Sequence, residues 1–401
     1  MTTAERARSR MVAALCESGR LVSPAVEDAF RNVPRHLFVP DLPIETAYAD
    51  EAVAVQLVDG VATSSASQPS MMAIMLEQLS VRPGHRVLEI GAGTGYNAAL
   101  MARIVGPTGS VTAVDIDQEL IDAAGDHLAA AGVSGVHLVC ADGALGYAEN
   151  APYDRIVLTV GSSDVRPEWV AQLSAGGRLL LPLAVRGSQL SVSLDLGTDG
   201  LLYSDSVRGC AFIRLRGIGA GPDTTVMLGD ELAMLLPEDA DSVPDPADVT
   251  AALSAPGPVQ GSPVPLSPRD VWDGFGLWLA LNEPRMVRLS ANAPEGLLAE
   301  SMFAVGPAYA GIALVGAGPG LAMAGPDAAG SAVRVFGPDG AGPAELLISA
   351  LAEWEAAGCP QAADLGLVVA PRPLPITVTP GSAVVTTPNA RVLTTWPATV
   401  T

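Results

Sequence analysis

Three short segments of the sequence carry residues whose types and spacing could bind a nucleotide-like cofactor. The first is VLEIGAGTG at residues 87–95, where a predicted strand runs directly into Gly91, Gly93 and Gly95 and a helix is predicted to begin. Glycines let the backbone pass close to a ligand, and the first turn of a helix leaves N–H groups free to face it. By itself this loop is weak evidence, because it fits dinucleotide-binding proteins as well.

Two aspartates follow at the ends of the next two predicted strands. Asp115 closes VTAVD, about 20 residues after the last glycine, where a carboxylate can accept hydrogen bonds from both hydroxyls of a ribose. Asp142 and Gly143 follow the third strand, where a carboxylate can accept from an adenine amino group. Either aspartate alone is more commonly a solvated helix cap or a turn former. Their order at successive strand ends, after the glycine loop, favours a nucleoside-binding site.

The elements that must position these residues alternate regularly through the first half of the chain. Short apolar runs are separated by helical segments of about 10–15 residues, which is typical of a parallel sheet covered on both faces. Strands are predicted at 86–90, 111–115, 136–140, 155–159 and 178–183. Helices are predicted at 24–30, 71–79, 95–105, 118–131 and 167–173. The expected fold class is therefore α/β, a doubly wound Rossmann-like sheet.

The composition changes after about residue 220. Eight prolines lie between residues 237 and 268, interleaved with Ser, Asp and Gly, which indicates a linker or an irregular excursion. Beyond it, helices are predicted at 271–281 and 344–357, with β-like segments between them. We expect a cofactor-binding domain at 1–220, a Pro-rich linker or excursion at 221–265, and a smaller α+β domain at 266–401.

The charge and the cysteines exclude several classes of function. The 43 acidic residues outnumber 22 basic ones, all of them Arg, so the net charge is −21 and no lysine can form a Schiff base or serve a P-loop. Such an acidic chain is unsuited to nucleic acid or an anionic membrane, and neither is expected as a partner. Four widely spaced cysteines form no C-x-x-C, so no metal site is expected. The polar start of the chain and the Gly- and Pro-interrupted uncharged stretch at 301–326 favour a soluble cytoplasmic protein.

The cofactor segments together resemble those of class I S-adenosylmethionine-dependent methyltransferases, in which an acidic residue at the position of Glu89 lies near the methionine moiety. More narrowly, residues of about 20–219 resemble the protein-L-isoaspartate (D-aspartate) O-methyltransferase family. The matching segments are AFRNVPRHLFVP at 29–40, AYAD at 47–50, SQP at 67–69, RVLEIGAGTGY at 86–96, APYDRIVLT at 151–159 and SAGGRLLLPL at 174–183. The order and spacing of all six make the resemblance specific.

The resemblance implies a cofactor, S-adenosyl-L-methionine, and a set of site residues. The implied cofactor contacts are Glu89, Gly91, Ala92, Gly93, Gly95, Asp115, Asp142, Gly143 and Thr159. In the family a Thr-x-Ser-Gln-Pro loop closes over the cofactor and holds the acceptor carboxylate, and its serine is called catalytic. Here that serine is Ser67, and the implied substrate contacts are Ser65, Gln68, Pro69 and Ser70. The alternative interpretation of this segment is a Ser-rich turn that caps a helix.

The sequence departs from the family pattern at two positions in this loop. Ser70 stands where a bulky Tyr or His is usual, and Ala66 stands where Ile is common. Both changes shrink the side chains of the loop and bear on acceptor specificity. Methyl transfer to a carboxylate needs no general base, because a carboxyl group with a pKa of ~4 is already ionised at neutral pH. None of the four histidines is therefore expected to be catalytic.

Three functions remain open at this point. The chain resembles the long bacterial family members found with lanthipeptide-type clusters. This favours a carboxyl O-methyltransferase that modifies an aspartyl side chain of a ribosomally made peptide, leading through a succinimide to aspartimide or isoaspartate. The C-terminal domain would then recognise the peptide. The alternative is general repair of L-isoaspartyl proteins, and a third is a binding protein without catalysis, which the intact motifs disfavour. Both enzymatic hypotheses imply a peptide or protein partner with an Asp or isoAsp acceptor, in an oligomeric state that the sequence does not indicate.

Overall fold

Two large β-sheets and one separate hairpin organise the chain. The computed structural model describes residues 1–240 and 242–397. The helices are α1 (Thr3–Glu17), α2 (Pro24–Asn32), α3 (Ile44–Ala47), α4 (Pro69–Leu79), α5 (Tyr96–Val105), α6 (Gln118–Ala130), α7 (Pro167–Ala171), α8 (Pro246–Leu253), α9 (Phe275–Asn282), α10 (Gly296–Glu300) and α11 (Ala341–Ala356). The strands are β1 (Val53–Val58), β2 (Val61–Ala66), β3 (Arg86–Ile90), β4 (Ser110–Asp115), β5 (Val136–Cys140), β6 (Tyr153–Leu158), β7 (Leu173–Val185), β8 (Ser188–Leu196), β9 (Leu202–Gly209), β10 (Thr225–Met227), β11 (Leu232–Leu235), β12 (Pro256–Ser262), β13 (Met286–Ala291), β14 (Phe303–Val305), β15 (Ala308–Val315), β16 (Leu321–Asp327), β17 (Gly330–Phe336), β18 (Gly366–Pro371), β19 (Ser382–Thr386) and β20 (Ala390–Thr395).

The first sheet has ten strands in the order β19-β20-β18-β9-β8-β7-β6-β3-β4-β5. Strands β7, β6, β3, β4 and β5 pair parallel with one another, and the other pairs of this sheet, including β7 with β8, are antiparallel. The prediction of a doubly wound α/β sheet is thus confirmed for the central strands. In such a sheet, ligands bind beyond the carboxyl ends of the parallel strands, where the cofactor residues were predicted.

The central strands are buried on both faces, which explains their nearly continuous apolar sequences. On one face, Val87 and Val111 pack in a core formed with helices α2, α4 and α5. On the other face, Leu88 and Val114 pack in a second core that includes Trp169 of α7. Adjacent side chains of one strand therefore belong to different cores, as the two-residue period of a strand requires.

The second sheet is antiparallel and follows the order β10-β11-β13-β15-β16-β17-β12, with β14 beside β15. The uncharged stretch 301–326 supplies β14, β15 and most of β16, so its β prediction is confirmed. Its glycines allow close packing, since a Cβ on Gly325 would lie 2.6 Å from the carbonyl oxygen of Ser301. Helices α9 and α11 cover one face of this sheet, close to the two helices predicted there. In the described parts of the chain, no helix has the length and apolar character needed to cross a membrane.

The structure assigns two segments differently from the predicted domain boundaries. Residues 221–265 are not a linker: they form β10, β11, α8 and β12, which include both edge strands of the second sheet. Their prolines are compatible with this, because proline is tolerated at the first turn of a helix and on edge strands. Residues 366–395 form β18, β20 and β19, which extend the first sheet from β9. The second sheet is thus inserted between two parts of the first.

Candidate active site

A cleft opens beyond the carboxyl ends of β3, β4 and β6. Its open space is about 1060 Å³ including the mouth, close to the upper end of the usual size of small-molecule sites. Distant stretches of the chain line it together: the end of β2, the glycine-rich loop, the end of β4, helix α4 and residues 212–216. Seven of the predicted cofactor residues lie in this lining, namely Glu89, Gly91, Ala92, Gly93, Asp115, Gly143 and Thr159.

Glycine is required at two positions of the loop for different structural reasons. Gly91 has a φ of +101°, and a Cβ there would lie 2.6 Å from Oγ1 of Thr159 at the end of the neighbouring strand. That hydroxyl donates a hydrogen bond to the carbonyl of Gly91 (2.6 Å), which fixes the start of the loop. Gly95 lies behind the lining, where a Cβ would approach that of Ala124 in α6 to 3.1 Å. Gly91 thus keeps the cleft floor open, whereas Gly95 lets helices α5 and α6 pack closely.

Asp115 is nearly buried at the end of β4 and faces the loop. Its Oδ2 accepts a hydrogen bond from the N–H of Gly93 (3.0 Å), and its Oδ1 accepts from the N–H of Asp117 (3.3 Å). Burial raises the pKa of this carboxyl, and these N–H groups together with Arg216 oppose the rise. The Arg216 guanidinium lies 3.9 Å from Oδ1. The structure thus places Asp115 where its predicted ribose contact is possible, and that contact stays a prediction.

Two buried polar atoms at the floor of the cleft have no hydrogen-bond partner among the described residues. Glu89 is completely buried; its Oε1 accepts from Nδ2 of Asn97 (2.8 Å), and its Oε2 has no hydrogen-bond partner among the described residues. Burial raises the pKa of Glu89 to about 8. The hydroxyl of Tyr96 is likewise buried and unpaired within the described part of the chain. Buried polar groups are normally hydrogen-bonded, so both atoms fit a bound molecule with polar or cationic groups.

Asp142 is not among the residues that line the cleft. Its Oδ1 accepts from the N–H of Ala144 (2.9 Å) and its Oδ2 accepts from the N–H of Ile218 (2.8 Å). The structure therefore shows the turn-forming role that the sequence offered as the alternative. Gly143 does reach the cleft, where a Cβ would lie 2.4 Å from Cγ2 of Ile90. The predicted adenine contact of Asp142 stays a prediction.

The serine-rich segment lines the cleft up to residue 67 and leaves it after that residue. Ser65, at the end of β2, and Ser67 both line the cleft, as predicted for substrate contacts. The carbonyl of Ser67 accepts a hydrogen bond from Nη2 of Arg35 (2.9 Å), while Nε of Arg35 donates to the carbonyl of Ala47 (2.9 Å). Arg35 is only 2% exposed, and its guanidinium lies 5.1 Å from the ring centre of Tyr96. Burial lowers the pKa of this arginine.

The other three predicted substrate residues lie outside the cleft lining, and their predicted substrate contacts stay predictions. Nε2 of Gln68 donates to the carbonyl of Asp50 (2.9 Å), and the N–H of Ser70 donates to Oδ1 of Asp50 (2.8 Å). Pro69 is the first residue of α4, and Ser70 is buried. The physical reason is that the first N–H groups of a helix need acceptors, and Asp50 supplies one here. These residues hold the loop in place.

Sequence reasoning missed three contributors to the site. Arg35 and Asp50 lie inside two of the matched segments, but nothing in the sequence showed that one would bind the carbonyl of Ser67 and the other would cap α4. The third is the segment 212–216, which passes over the sheet because Gly161 exchanges backbone hydrogen bonds of 2.8 Å with the residues on either side of Arg214. Arg214 and Arg216 line the cleft. They place positive charge at the site of a strongly acidic protein.

Comparisons with known proteins agree with this geometry. Residues 6–218 match the family model described as protein-L-isoaspartate(D-aspartate) O-methyltransferase. The chain is 39% identical over 213 residues to the protein-L-isoaspartate O-methyltransferase of Methanopyrus kandleri, covering 53% of this chain and 92% of the relative. It is 36% identical over 219 residues to the enzyme of the same name from Hyperthermus butylicus, covering 53% and 89%. A solved structure named protein-L-isoaspartate O-methyltransferase matches 90% of this chain and 96% of its own, with a TM-score of 0.51 and 24% identity.

The fold and the cleft define a methyltransferase with a Rossmann-like sheet, whose cofactor is S-adenosyl-L-methionine. The chain belongs to the protein-L-isoaspartate(D-aspartate) O-methyltransferase family. The two relatives match only its first half, so the inserted sheet lies outside those alignments. The solved structure extends over most of both sheets, which shows that this larger architecture is shared as a fold.

Proposed function

We propose that the protein methylates the free carboxylate of L-isoaspartyl residues in peptides or proteins. The observation that carries the proposal is that one cleft joins the glycine loop, Glu89 and Asp115 to Ser65 and Ser67. The first group supplies the features of a cofactor site, and the second is the family's acceptor segment. The names of the relatives support isoaspartate as the acceptor.

The residues present fit the cofactor. Oε2 of Glu89 suits a cationic group, the backbone around Gly91 and Gly93 leaves room for close approach, and Asp115 offers carboxylate oxygens. When bound, S-adenosyl-L-methionine supplies a methyl group activated by a positively charged sulfonium. The residues of the chain have to hold the two reactants in line and exclude water.

The acceptor needs orientation more than deprotonation. Its carboxylate is ionised at neutral pH, so the reaction does not depend on a general base. Arg35 fixes the carbonyl of Ser67, which lines the cleft, and we assign the contact with the acceptor peptide to the hydroxyl of Ser67. Holding two reactants in a reactive geometry can lower a barrier by roughly 7–11 kcal/mol, which is sufficient for orientation to be the main contribution.

A direct test uses two synthetic peptides of one sequence, one containing L-isoaspartate and the other containing aspartate at the same position. With the labelled cofactor, we expect methyl ester formation on the isoaspartyl peptide and little on its aspartyl twin. Methylation of neither peptide, or of the aspartyl twin alone, would reject isoaspartyl specificity. Mass spectrometry under acidic conditions preserves the ester and identifies the modified residue.

A second candidate is methylation of an encoded aspartate in a ribosomally made, lanthipeptide-type peptide, with a succinimide as the later product. Ala66 favours it, because this small residue lines the cleft where the family commonly has isoleucine. Ser70 gives no such support, since it lies buried behind Asp50. The inserted sheet would supply peptide recognition, but the solved relative shares this architecture. Methylation of a constrained aspartyl peptide in preference to an isoaspartyl peptide would favour this candidate.

We propose a cytoplasmic location for the reaction. The four cysteines are all free thiols, as is usual in a reducing compartment. Fractionation of producing cells tests this proposal, and recovery of the protein mainly outside the cytoplasmic fraction would contradict it.

A further inference from the structure

The hairpin of β1 and β2 lies across the cleft and is attached at both sides. Residues 63–66 of β2 line the cleft, and Oγ of Ser64 lies 3.7 Å from where a Cβ on Gly93 would be. One attachment follows β2, where Arg35 binds the carbonyl of Ser67 (2.9 Å). The hairpin therefore covers the glycine loop and carries the acceptor segment at its end.

The second attachment is a hydrogen bond from β1. Nε2 of Gln56 donates to Oδ2 of Asp117 at 2.8 Å, and Oε1 of Gln56 accepts from Oγ1 of Thr63 at 2.8 Å. Thr63 lies on β2 and lines the cleft. Gln56 therefore connects β2 to Asp117 at the start of α6, on the other side of the cleft.

Asp117 is a rigid acceptor for this bond. It is the N-cap residue of α6, where its Oδ1 accepts from the N–H of Glu119 (3.0 Å). Its own N–H donates to Oδ1 of Asp115 in the cleft. The hydrogen bond from Gln56 lowers the pKa of Asp117, so the acceptor is charged at neutral pH. Hydrogen bonds to charged acceptors are stronger than neutral ones.

Little apolar burial holds the hairpin closed. Leu57, Val58 and Val61 at its turn are 62%, 52% and 67% exposed. Segments with few buried apolar contacts open at low free-energy cost, so individual polar contacts control their closure.

We propose that Gln56 is a positioning residue whose hydrogen bond to Asp117 latches the hairpin over the cleft. The latch holds Ser65 and Ser67 beside the cofactor and slows release of the demethylated cofactor. The inference rests on the cofactor assignment and on the acceptor role of this segment in the proposed function.

The first test compares Gln56→Ala with a matched control. Gln118→Ala also removes a glutamine–aspartate hydrogen bond, from Nε2 of Gln118 to Oδ1 of Asp122 (2.7 Å), but this bond lies within α6 and does not involve the hairpin. We expect Gln56→Ala to speed dissociation of S-adenosyl-L-homocysteine by about tenfold, the lower end expected for a charged hydrogen bond. Hydrogen exchange of residues 53–66 in the ligand-free protein should also accelerate. Neither quantity should change in Gln118→Ala.

A charge exchange separates the latch from a general structural role. Gln56→Glu places a carboxylate opposite Asp117 and should speed dissociation at least as much as Gln56→Ala. Adding Asp117→Asn should restore slow dissociation, because the amide can donate to the new carboxylate while its oxygen still caps α6. Rates unchanged from wild type in both single variants of Gln56, or a double variant as fast as Gln56→Glu, would overturn the proposal.

A wrong cofactor assignment and a wrong role for Gln56 would give different results. If the wild-type protein does not bind S-adenosyl-L-homocysteine, the cofactor assignment fails. Hydrogen exchange of the ligand-free hairpin still decides whether Gln56 holds it closed. If the wild-type protein binds and Gln56→Ala changes neither dissociation nor exchange, the latch alone is wrong.

Discussion

Two buried charged side chains, one in each sheet, show how differently the two regions work. Glu89 in the first sheet keeps one carboxylate oxygen without a partner among the described residues, at the floor of a cleft. Arg288 in the second sheet donates from Nε to the carbonyl of Val271 (2.8 Å), from Nη1 to that of Arg186 (2.9 Å) and from Nη2 to Oγ of Ser188 (2.8 Å). The first arrangement leaves an oxygen available to a ligand, whereas the second joins the two sheets. We infer that the chemistry belongs to the first sheet.

The largest expected effect comes from removing the last three strands. A chain that ends at residue 365 keeps every predicted site residue but loses β18–β20, which contribute Leu367, Val369 and Val392 to a core of the first sheet. It also strips Asp164 of its hydrogen bonds from Thr387 (2.5 Å) and Asn389 (2.6 Å). Each large apolar side chain contributes roughly 1.5–3 kcal/mol, so the loss approaches the whole stability of a domain.

We therefore expect this truncated chain to lose cooperative unfolding and cofactor binding, as measured by circular dichroism and calorimetry. A chain ending near Ala220 lacks the same strands, and we expect it to be destabilised in the same way. Normal folding and binding by either truncated chain would show that the strands after residue 365 are dispensable to the first sheet.

The joint between the sheets is tested by Arg288→Met. The substitution preserves bulk but leaves three buried oxygens without their donor, which should lower the free energy of unfolding by about 3–5 kcal/mol. The control is Arg285→Met, which removes a half-exposed ion pair with Glu283 and should cost about 1 kcal/mol or less. Urea unfolding measures both. Equal stability losses in the two variants would contradict the role of Arg288 as a joint.

Substitutions of two aspartates test which residues belong to the cofactor site. Asp115→Ala should weaken binding of S-adenosyl-L-homocysteine at least tenfold, since each hydrogen bond to a charged group contributes roughly 1.5–3 kcal/mol. Asp142→Ala should mainly lower stability, by about 1–2 kcal/mol, because it removes a cap from backbone N–H groups. Isothermal titration and thermal unfolding separate the two outcomes. A larger loss of binding in Asp142→Ala than in Asp115→Ala would show that Asp142, and not Asp115, is the more important contact for the cofactor.

The pKa of Glu89 predicts a pH dependence of cofactor affinity. Because burial raises this pKa to about 8, the carboxyl is mostly neutral at pH 6 and mostly ionised above 8. A cationic ligand favours the ionised form, so binding releases a proton and affinity should rise with pH, by up to about tenfold per unit below 8. Glu89→Gln should remove this rise while preserving the ligand's own titration. Identical pH profiles of affinity for wild type and variant between pH 6 and 8 would exclude Glu89 as the source of the pH dependence.

Local patterns made the first sheet predictable, and distant pairing made the rest unpredictable. The parallel strands and the glycine loop follow from apolar periodicity and from motifs within a few residues of one another. In contrast, β18 pairs with β9 through Val368 and Tyr203, which are far apart in the sequence. Nothing local indicates which of two sheets an antiparallel strand near the end of the chain will join. The domain boundaries therefore failed where the strand predictions succeeded.

The site was predictable to a similar depth. Ser65 and Ser67 follow from the family segment, but the support from Arg35, Asp50 and Gln56 depends on side chains that meet across the fold. Arg35 is a buried arginine that binds a carbonyl, and such a contact produces no spacing pattern in the sequence. Asp50 caps a helix 20 residues further along the chain, and in the sequence it cannot be distinguished from other loop carboxylates. The contacts of Gln68 and Ser70 with Asp50 could therefore not be predicted from the sequence.

We propose that Ser67 orients the acceptor in a cleft that binds the cofactor independently of this side chain. The most direct measurement is the effect of Ser67→Ala on methylation of an isoaspartyl peptide and on affinity for S-adenosyl-L-homocysteine in the same preparation. We predict that kcat/KM for the peptide falls by about tenfold, corresponding to the loss of one hydrogen bond of ~1.4 kcal/mol, while the affinity changes less than twofold. Unchanged methylation, or a parallel loss of both quantities, would contradict the claim.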